Sequence, residues 1–193
     1  MRHLLTTAMF IAATYAFIPA PANAEEAHVA PVTAFMKEKV ATWVQDPTIV
    51  NAIKAQNAEH ANLKDADIDA LDKKWRAEVQ SSDQPMIKAV LANDVSAFLK
   101  AKQADSNGAI AEVFVVDNKG LNVGQSDITS DYWQGDEAKF KKTFDVGPNT
   151  LFVDEVEKDE STQALQSQVS MTIVDETGKA IGAITVGVNL DAL

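Results

Sequence analysis

At Asn107-Gly108 the hydrophobic pattern of the chain changes period, and that change most limits the folds open to it. Before it, apolar residues recur every three or four positions. Val32, Phe35, Met36, Val40, Trp43 and Val44 form one such series, the spacing of a single helical face. Asp46-Pro47 interrupts it with a capping residue and a proline suited to a first turn. Ile49, Val50 and Ile53 then resume the pattern, which predicts one kinked helix or two end to end. A further helix is predicted from Asp65 as N-cap, with Asp67 in its first turn and Ile68, Leu71, Trp75 and Val79 on its apolar face. Ser81 to Pro85 reads as a loop and helix start. Met86, Ile87, Val90, Leu91, Val95, Phe98 and Leu99 supply the last helical stripe.

After Gly108 the segments turn β-branched and short. Val113-Phe114-Val115-Val116 is followed by a turn, and Val169 to Val174 alternates apolar with hydroxyl residues. Two stretches echo each other as V-D-x-x-G-x-x-x-G, one from Val116 to Gly124 and one from Val174 to Gly182. Each predicts a strand, an Asp/Gly turn and a second strand, hence two hairpins in one antiparallel sheet. Helices followed by a run of strands predict an α+β fold, with the helices packed on one face of that sheet.

The N-terminus predicts export. Met1-Arg2-His3 is basic, Leu4 to Ile18 is an apolar run, and Ala22-Asn23-Ala24 offers small residues for cleavage. The run falls short of the ~20 apolar residues of a transmembrane helix. Residues 1–24 are therefore expected to be a signal peptide cleaved after Ala24. Residues 25–193 are expected to be one periplasmic domain, helical over 25–108 and sheet-forming over 109–193. With no Cys in the chain, disulfides, a lipoprotein anchor and thiol catalysis are excluded. Seventeen Lys and Arg stand against 28 Asp and Glu, a net charge of −11. Such a surface repels a phosphate backbone and excludes nucleic acid as a partner.

Catalytic patterns are missing. The chain has no G-x-S-x-G, H-E-x-x-H or Walker sequence. His3 leaves with the signal peptide, His28 is expected to be disordered beside the new N-terminus, and His60 to be solvated at a helix end. No enzyme, metal or cofactor is predicted. The informative stretch is Gly124 to Glu137, dense in polar, aromatic and acidic residues. Tyr132 and Trp133 suit the wall of a small-molecule pocket, and Asp131, Asp136 and Glu137 suit an ammonium or a hard cation. The same residues also read as a helix start, capped by Ser130 or Asp131, with Trp133 and Phe140 packed on the core. Both readings stay open. The acidic run from Asp154 to Thr162 lacks EF-hand spacing and reads as a solvated hairpin connection.

Taken in order, these features resemble the extracytoplasmic Cache (PDC) sensor domains, relatives of PAS domains. The resemblance covers Phe114 to Leu193. It runs through a strand-turn-strand at Val113 to Val123 and an aromatic short helix from Asp131-Tyr132-Trp133 to Phe144. Phe152-Val153-Asp154 then enters a long hairpin, and Val169 to Asp191 closes the domain. A long N-terminal helix fits the same family. The resemblance implies a ligand between the sheet and the loops around the short helix, with Tyr132 and Trp133 lining it and Asp154 a further contact. Members that bind carboxylates usually carry an Arg in the short-helix region. Here Gln134-Gly135-Asp136-Glu137 stands there, with only Lys139, Lys141 and Lys142 nearby, so a cationic or neutral ligand is favoured. Family members are tethered to a cytoplasmic output domain, for which the chain shows no segment. The expectation is therefore a stand-alone sensory module acting through a separate membrane receptor or kinase. The alternative is a ligand-free PAS-like structural or interaction protein, with the helical half serving a homodimer.

Overall fold

The computed structural model describes residues 26–158 and 165–193; the expected signal peptide and part of the acidic run lie outside the described residues. The first helical series forms two helices. α1 (Val29–Glu38) is followed by a 3-10 turn at Val40–Thr42, and α2 (Pro47–Glu59) opens at Asp46, whose carboxylate accepts the Thr48 N–H at 2.8 Å. α3 (Asp65–Val79) begins one residue after its cap, which is Lys64 rather than Asp65. The lysine side chain has no acceptor to offer the helix, although the Lys64 carbonyl accepts from the Asp67 and Ile68 N–H groups. The stabilising bond runs the other way, from the Lys64 N–H to the Asp67 carboxylate at 2.9 Å.

The last stripe is broken into α4 (Pro85–Leu91) and α5 (Asp94–Ala104) because Asn93 caps the second piece. Its Oδ1 accepts the Ser96 N–H at 2.8 Å, and its Nδ2 donates to the Val123 carbonyl at 2.8 Å. One residue thus starts a helix and ties it to the sheet.

The second half supplies β1 (Ile110–Val116), β2 (Asn122–Gln125), a short helix α6 (Ala138–Lys141), β3 (Leu151–Lys158), β4 (Leu165–Val174) and β5 (Ala180–Asn189). They form one antiparallel sheet in the order β2-β1-β5-β4-β3. Both echoed sequences are hairpins, and β1 lies beside β5, so the two copies meet at the centre. The inner face carries Val113, Val115, Val169, Ile173, Ile184, Val186 and Val188. It packs against Val32, Met36, Ile49, Ile53, Val95 and Leu99 of the helices. A second cluster joins Ile68 and Trp75 of α3 and Ile87 of α4 to Leu121 and Tyr132 beyond the β2 edge.

Each glycine of the echo has a physical reason. The first, Gly120 or Gly178, sits at φ 80° or 82° and closes the Asp/Gly turn in a left-handed conformation. The second sits where two elements nearly touch. A Cβ on Gly124 would lie 2.6 Å from Val95 Cγ1, and one on Gly182 would collide with the Val116 carbonyl.

Both remaining histidines differ from expectation. The side chain of His28 is 9% exposed, and its Nε2 lies 2.9 Å from the Asp154 carbonyl. His60 is not solvated: its Nδ1 is 2.8 Å from the buried carboxylate of Asp117. Long-range partners, invisible in sequence, hold both rings. Among the described residues no helix is long and apolar enough to cross a membrane.

Gly182→Ala is expected to destabilise the protein by about 1–3 kcal/mol, the usual cost of overpacking. A fall in the urea midpoint with unchanged slope would show it, and an unchanged midpoint would refute the contact. A second expectation concerns Asp175, whose carboxyl is held below the ordinary carboxylate range chiefly by the Thr177 hydroxyl. Because the folded value is depressed, its contribution is present at neutral pH and lost as the pH falls through that lowered value. Asp175→Asn should flatten the acid limb of a stability-against-pH curve, without moving the neutral plateau by more than a surface-turn effect.

Candidate functional site: a buried polar layer on the outer sheet face

The strand registers place Gln125, Phe114, Thr185, Ser170 and Phe152 in one row across the outer face. Asn122, Val116, Ala183 and Thr172 form the next row, and Glu112, Gly187 and Gln168 the row on the other side. An outer face bearing hydroxyls and amides ordinarily meets water. This one does not: Gln125 and Ser170 are 0% exposed, Thr185 3% and Thr172 4%.

The segment from Ser126 to Thr150 covers the face. Phe140 and Phe144 stack at 5.0 Å and pack on Phe114, Val116 and Ala183. The Lys139 ammonium lies 5.6 Å from the Phe114 ring centre, and that of Lys142 4.3 Å from the Phe152 ring centre. Gly187 leaves room for Gln168 Nε2 to reach Glu112 Oε1 at 2.7 Å; a Cβ there would sit 2.7 Å from Glu112 Cγ.

Within the layer, Asn122 Nδ2 donates toward Gln125 Oε1 (3.0 Å), Thr129 Oγ1 (2.8 Å) and the Asp131 carbonyl (3.1 Å). That carbonyl also accepts from the Thr129 hydroxyl at 2.7 Å and from Gln134 Nε2 at 3.0 Å. The Ser170 and Thr185 hydroxyls bond each other at 2.9 Å. Among the described residues three buried side-chain atoms have no partner: Asn122 Oδ1, Gln125 Nε2 and Thr172 Oγ1. Buried polar groups are nearly always satisfied, so each of these marks a place where a bond is owed.

Residues 131–134 wall the layer by extending the sheet beyond β2. Asn122 N–H donates to the Tyr132 carbonyl at 3.0 Å, and Gln134 N–H to the Gly120 carbonyl at 2.7 Å. From behind, Asp72 of α3 receives the Tyr132 and Trp133 N–H groups at 3.0 and 3.1 Å on one oxygen and Arg76 Nε at 2.7 Å on the other. Arg76 continues to the Asp131 carboxylate at 3.0 Å.

Asp131, Tyr132 and Trp133 are therefore brought together, but through their main chain. The Tyr132 ring stacks on Trp75 at 5.4 Å, and burial pushes its phenol pKa upward, with Asp117 and Glu59 adding to the shift. The Trp133 indole donates to the Lys119 carbonyl at 2.8 Å. Asp136 is exposed, its carbonyl accepting from Lys141 Nζ at 2.6 Å. Asp154 belongs to β3, at the opposite edge of the sheet, beside a cavity of about 190 Å³ shared with His28, Lys142 and Phe152. A wider groove of about 700 Å³ runs between α2 and the start of α5 over Val123. It lies on the helical side, and its Gln56 and Asn93 amides already bond the main chain of the β1–β2 hairpin.

Sequence reasoning missed Asn122, Gln125, Thr129, Gln134 and Asp72. The available signal was the pair of amides in β2, where a strand with one face on a core should alternate with apolar residues. Ser170 and Thr172 were visible as alternating hydroxyls, but such alternation reads as a solvated face.

The chain is thus an α+β domain whose antiparallel sheet has α1, α2 and α5 on one face and, under the α6 segment, a buried polar layer on the other. Its hairpin, short helix, edge strand and closing hairpin follow the order on which the resemblance to Cache domains rests. No protein-family model and no curated protein matches the chain. Among solved structures it is similar to the sensor domain of the histidine kinase DctB of V. cholerae, at 11% identity and a TM-score of 0.45, over 86% of this chain and 51% of that one. It is also similar to the E. coli DcuS sensor domain, at 19% and 0.38, over 64% of this chain and 91% of that one. A third likeness is to the sensory domain of the Campylobacter jejuni chemoreceptor Tlp3 with isoleucine bound, at 14% and 0.38, over 79% and 62%. The chain spans about half the length of the DctB domain. Likenesses at this level say nothing of ligand or partner.

Asp72→Ala should strand the Tyr132 and Trp133 N–H groups, at about 1–3 kcal/mol for each donor left unsatisfied. Asp72→Asn keeps an acceptor and should lose less. Hydrogen exchange at the two amides would check this: equal protection in wild type and Asp72→Ala would refute the clamp.

Proposed function

We propose that this protein is a non-catalytic sensory module that binds a small neutral or cationic molecule outside the cytoplasm and passes the bound state to a separate membrane receptor or kinase. The observation that supports this most directly is the adjacent pair of unspent groups, Gln125 Nε2 and Asn122 Oδ1, in a fully buried layer. One is a donor and the other an acceptor, so the complement is a molecule with both, such as an amide or a hydroxyl. Thr172 lies three strand spacings from Asn122, ~14 Å, beyond the reach of one small ligand that fills the amide pair.

Both unspent groups are uncharged, which favours a neutral ligand. A cation is the next choice, given the net charge of −11, which draws cations inward. The nearby ammonium groups already rest on aromatic rings, and that of Lys139 also pairs with Glu137 at 3.3 Å.

A second reading has its own support. The rings of Tyr132 and Trp133, expected to line a pocket, pack into the cluster with Trp75 of α3, and Phe140 packs on the sheet as a core residue. That suits a ligand-free interaction domain, with an ordered water satisfying the amide pair.

Thermal-shift and calorimetric screening of sugars, amides and amines against small acids separates the two. A ligand at a hundredfold excess over its Kd adds ~2.7 kcal/mol, which for a domain of this size raises Tm by roughly 5–10 °C. Gln125→Leu removes the unsatisfied donor together with an acceptor whose donors, Asn122 Nδ2 and Thr129 Oγ1, both keep the Asp131 carbonyl, so the unliganded Tm should change little while the ligand shift disappears. If no neutral or cationic compound moves the wild-type Tm, the binding reading fails and the interaction reading stands.

A further inference from the structure

A second cavity lies on the helical side of the sheet, at the end where α5 finishes and β1 begins. It measures about 350 Å³ and is built jointly by α1, the 3-10 turn after it, the last turn of α5 and Ile110. Its apolar surface is Phe35 and Trp43, both partly exposed, over the buried Ile110. Trp43 meets Phe98 edge to face at 6.0 Å.

Over these rings stands one ammonium. Lys102 Nζ is 5.0 Å from the Phe98 ring centre and 6.0 Å from that of Trp43. Lys39 lines the same cavity. Among the described residues neither lysine has a carboxylate within ion-pair distance. The two carboxylates that line the cavity, Glu38 and Asp105, are exposed, and the Asp46 carboxylate acts on the Lys102 ammonium only from beyond ion-pair distance.

The geometry points to a second ligand site here, distinct from the outer-face layer, for a small monocarboxylate with a flat apolar body. The volume falls in the range of small-molecule pockets, and an apolar wall with a few placed polar groups is their usual construction. The flat body would lie on Trp43 and Phe35, and the carboxylate would take the Lys102 ammonium in a charge-assisted hydrogen bond. Glu38 and Asp105 oppose a second carboxylate on the same ligand by like-charge repulsion. Because the walls come from α1, α5 and β1, occupancy would fasten the first helix to the sheet.

The three tryptophans make the test local. Trp43 lines this cavity, Trp75 on the buried face of α3 is 0% exposed, and Trp133 is bonded to Lys119 in the wall of the polar layer. In a 1H-15N spectrum of the purified protein, phenylacetate should shift the Trp43 indole N–H saturably and leave the other two in place. Lys102→Met keeps the aliphatic stem on the rings and should weaken binding by roughly tenfold or more. Lys39→Met should weaken it less, and both should keep the wild-type Tm. Phenethylamine and acetate, which lack the carboxylate and the apolar body respectively, should leave the Trp43 signal unmoved. The inference is overturned by a still Trp43 signal with phenylacetate, by equal binding of phenethylamine, or by Lys102→Met binding like wild type. A shift of Trp133 in place of Trp43 also overturns it and points to the outer-face layer.

Discussion

The Asp117 carboxylate holds the two halves of the protein in register. It is 0% exposed and saturated with partners. One oxygen accepts the Lys119 and Leu121 N–H groups at 2.8 and 3.0 Å, shaping the β1–β2 turn. The other accepts Gln56 Nε2 at 3.0 Å and faces His60 Nδ1 at 2.8 Å, both from the end of α2. A buried carboxylate is tolerated only with such a set of donors, and removing any of them leaves charge uncompensated. The turn it shapes carries Gly120, whose carbonyl receives Gln134, and Leu121, which bridges to Trp133. The wall of the polar layer therefore depends on a residue that never touches it.

Asp175 shows what the same sequence does without the buried donors of α2. Its carboxylate accepts the Thr177 and Lys179 N–H groups at 2.9 and 3.0 Å, and Gly178 closes that turn as Gly120 closes the first. Lys54 of α2 pairs with the neighbouring Glu176, an exposed contact worth little. One copy of the turn is a surface feature, the other a buried joint, and α2 makes the difference by presenting Gln56 and His60 to only one of them.

How much of this the residues disclose follows from the range of the interactions. Periodicity marks the helices, the two hairpins and the α+β order, because a helical stripe or a strand alternation is written within ten or so neighbouring residues. The Asp46 cap and the break in period at Asn107-Gly108 are local in the same way. Asn93 stands inside an apolar stripe and gives no such mark, since its capping role depends on how the chain turns there. The site was legible only as a stretch: Gly124 to Glu137 was singled out for Tyr132, Trp133 and Asp131, whereas the side chains facing the layer are Asn122, Gln125, Thr129 and Gln134. The reason is Asp72. It lies 60 residues upstream of Tyr132 and, with Trp75 and Arg76, draws the conspicuous side chains to the α3 side. No spacing rule within the stretch foretells a partner on another helix.

That rearrangement also defines how a bound molecule would be felt. The Asp131 carbonyl gathers bonds from Asn122, Thr129 and Gln134, so a ligand bonded to Asn122 Oδ1 acts on a side chain whose Nδ2 that carbonyl already holds. The same peptide unit carries the Tyr132 N–H held by Asp72, and the Asp131 side chain is held by Arg76. A change at the amide pair is thus one peptide unit from α3, whose Asp69 and Lys73 face solvent. The β2 edge, where an unpaired strand would otherwise invite non-specific pairing, is the line along which the layer and α3 meet. The same chain segment that closes the sheet edge couples the buried layer to the outer surface of the helical half.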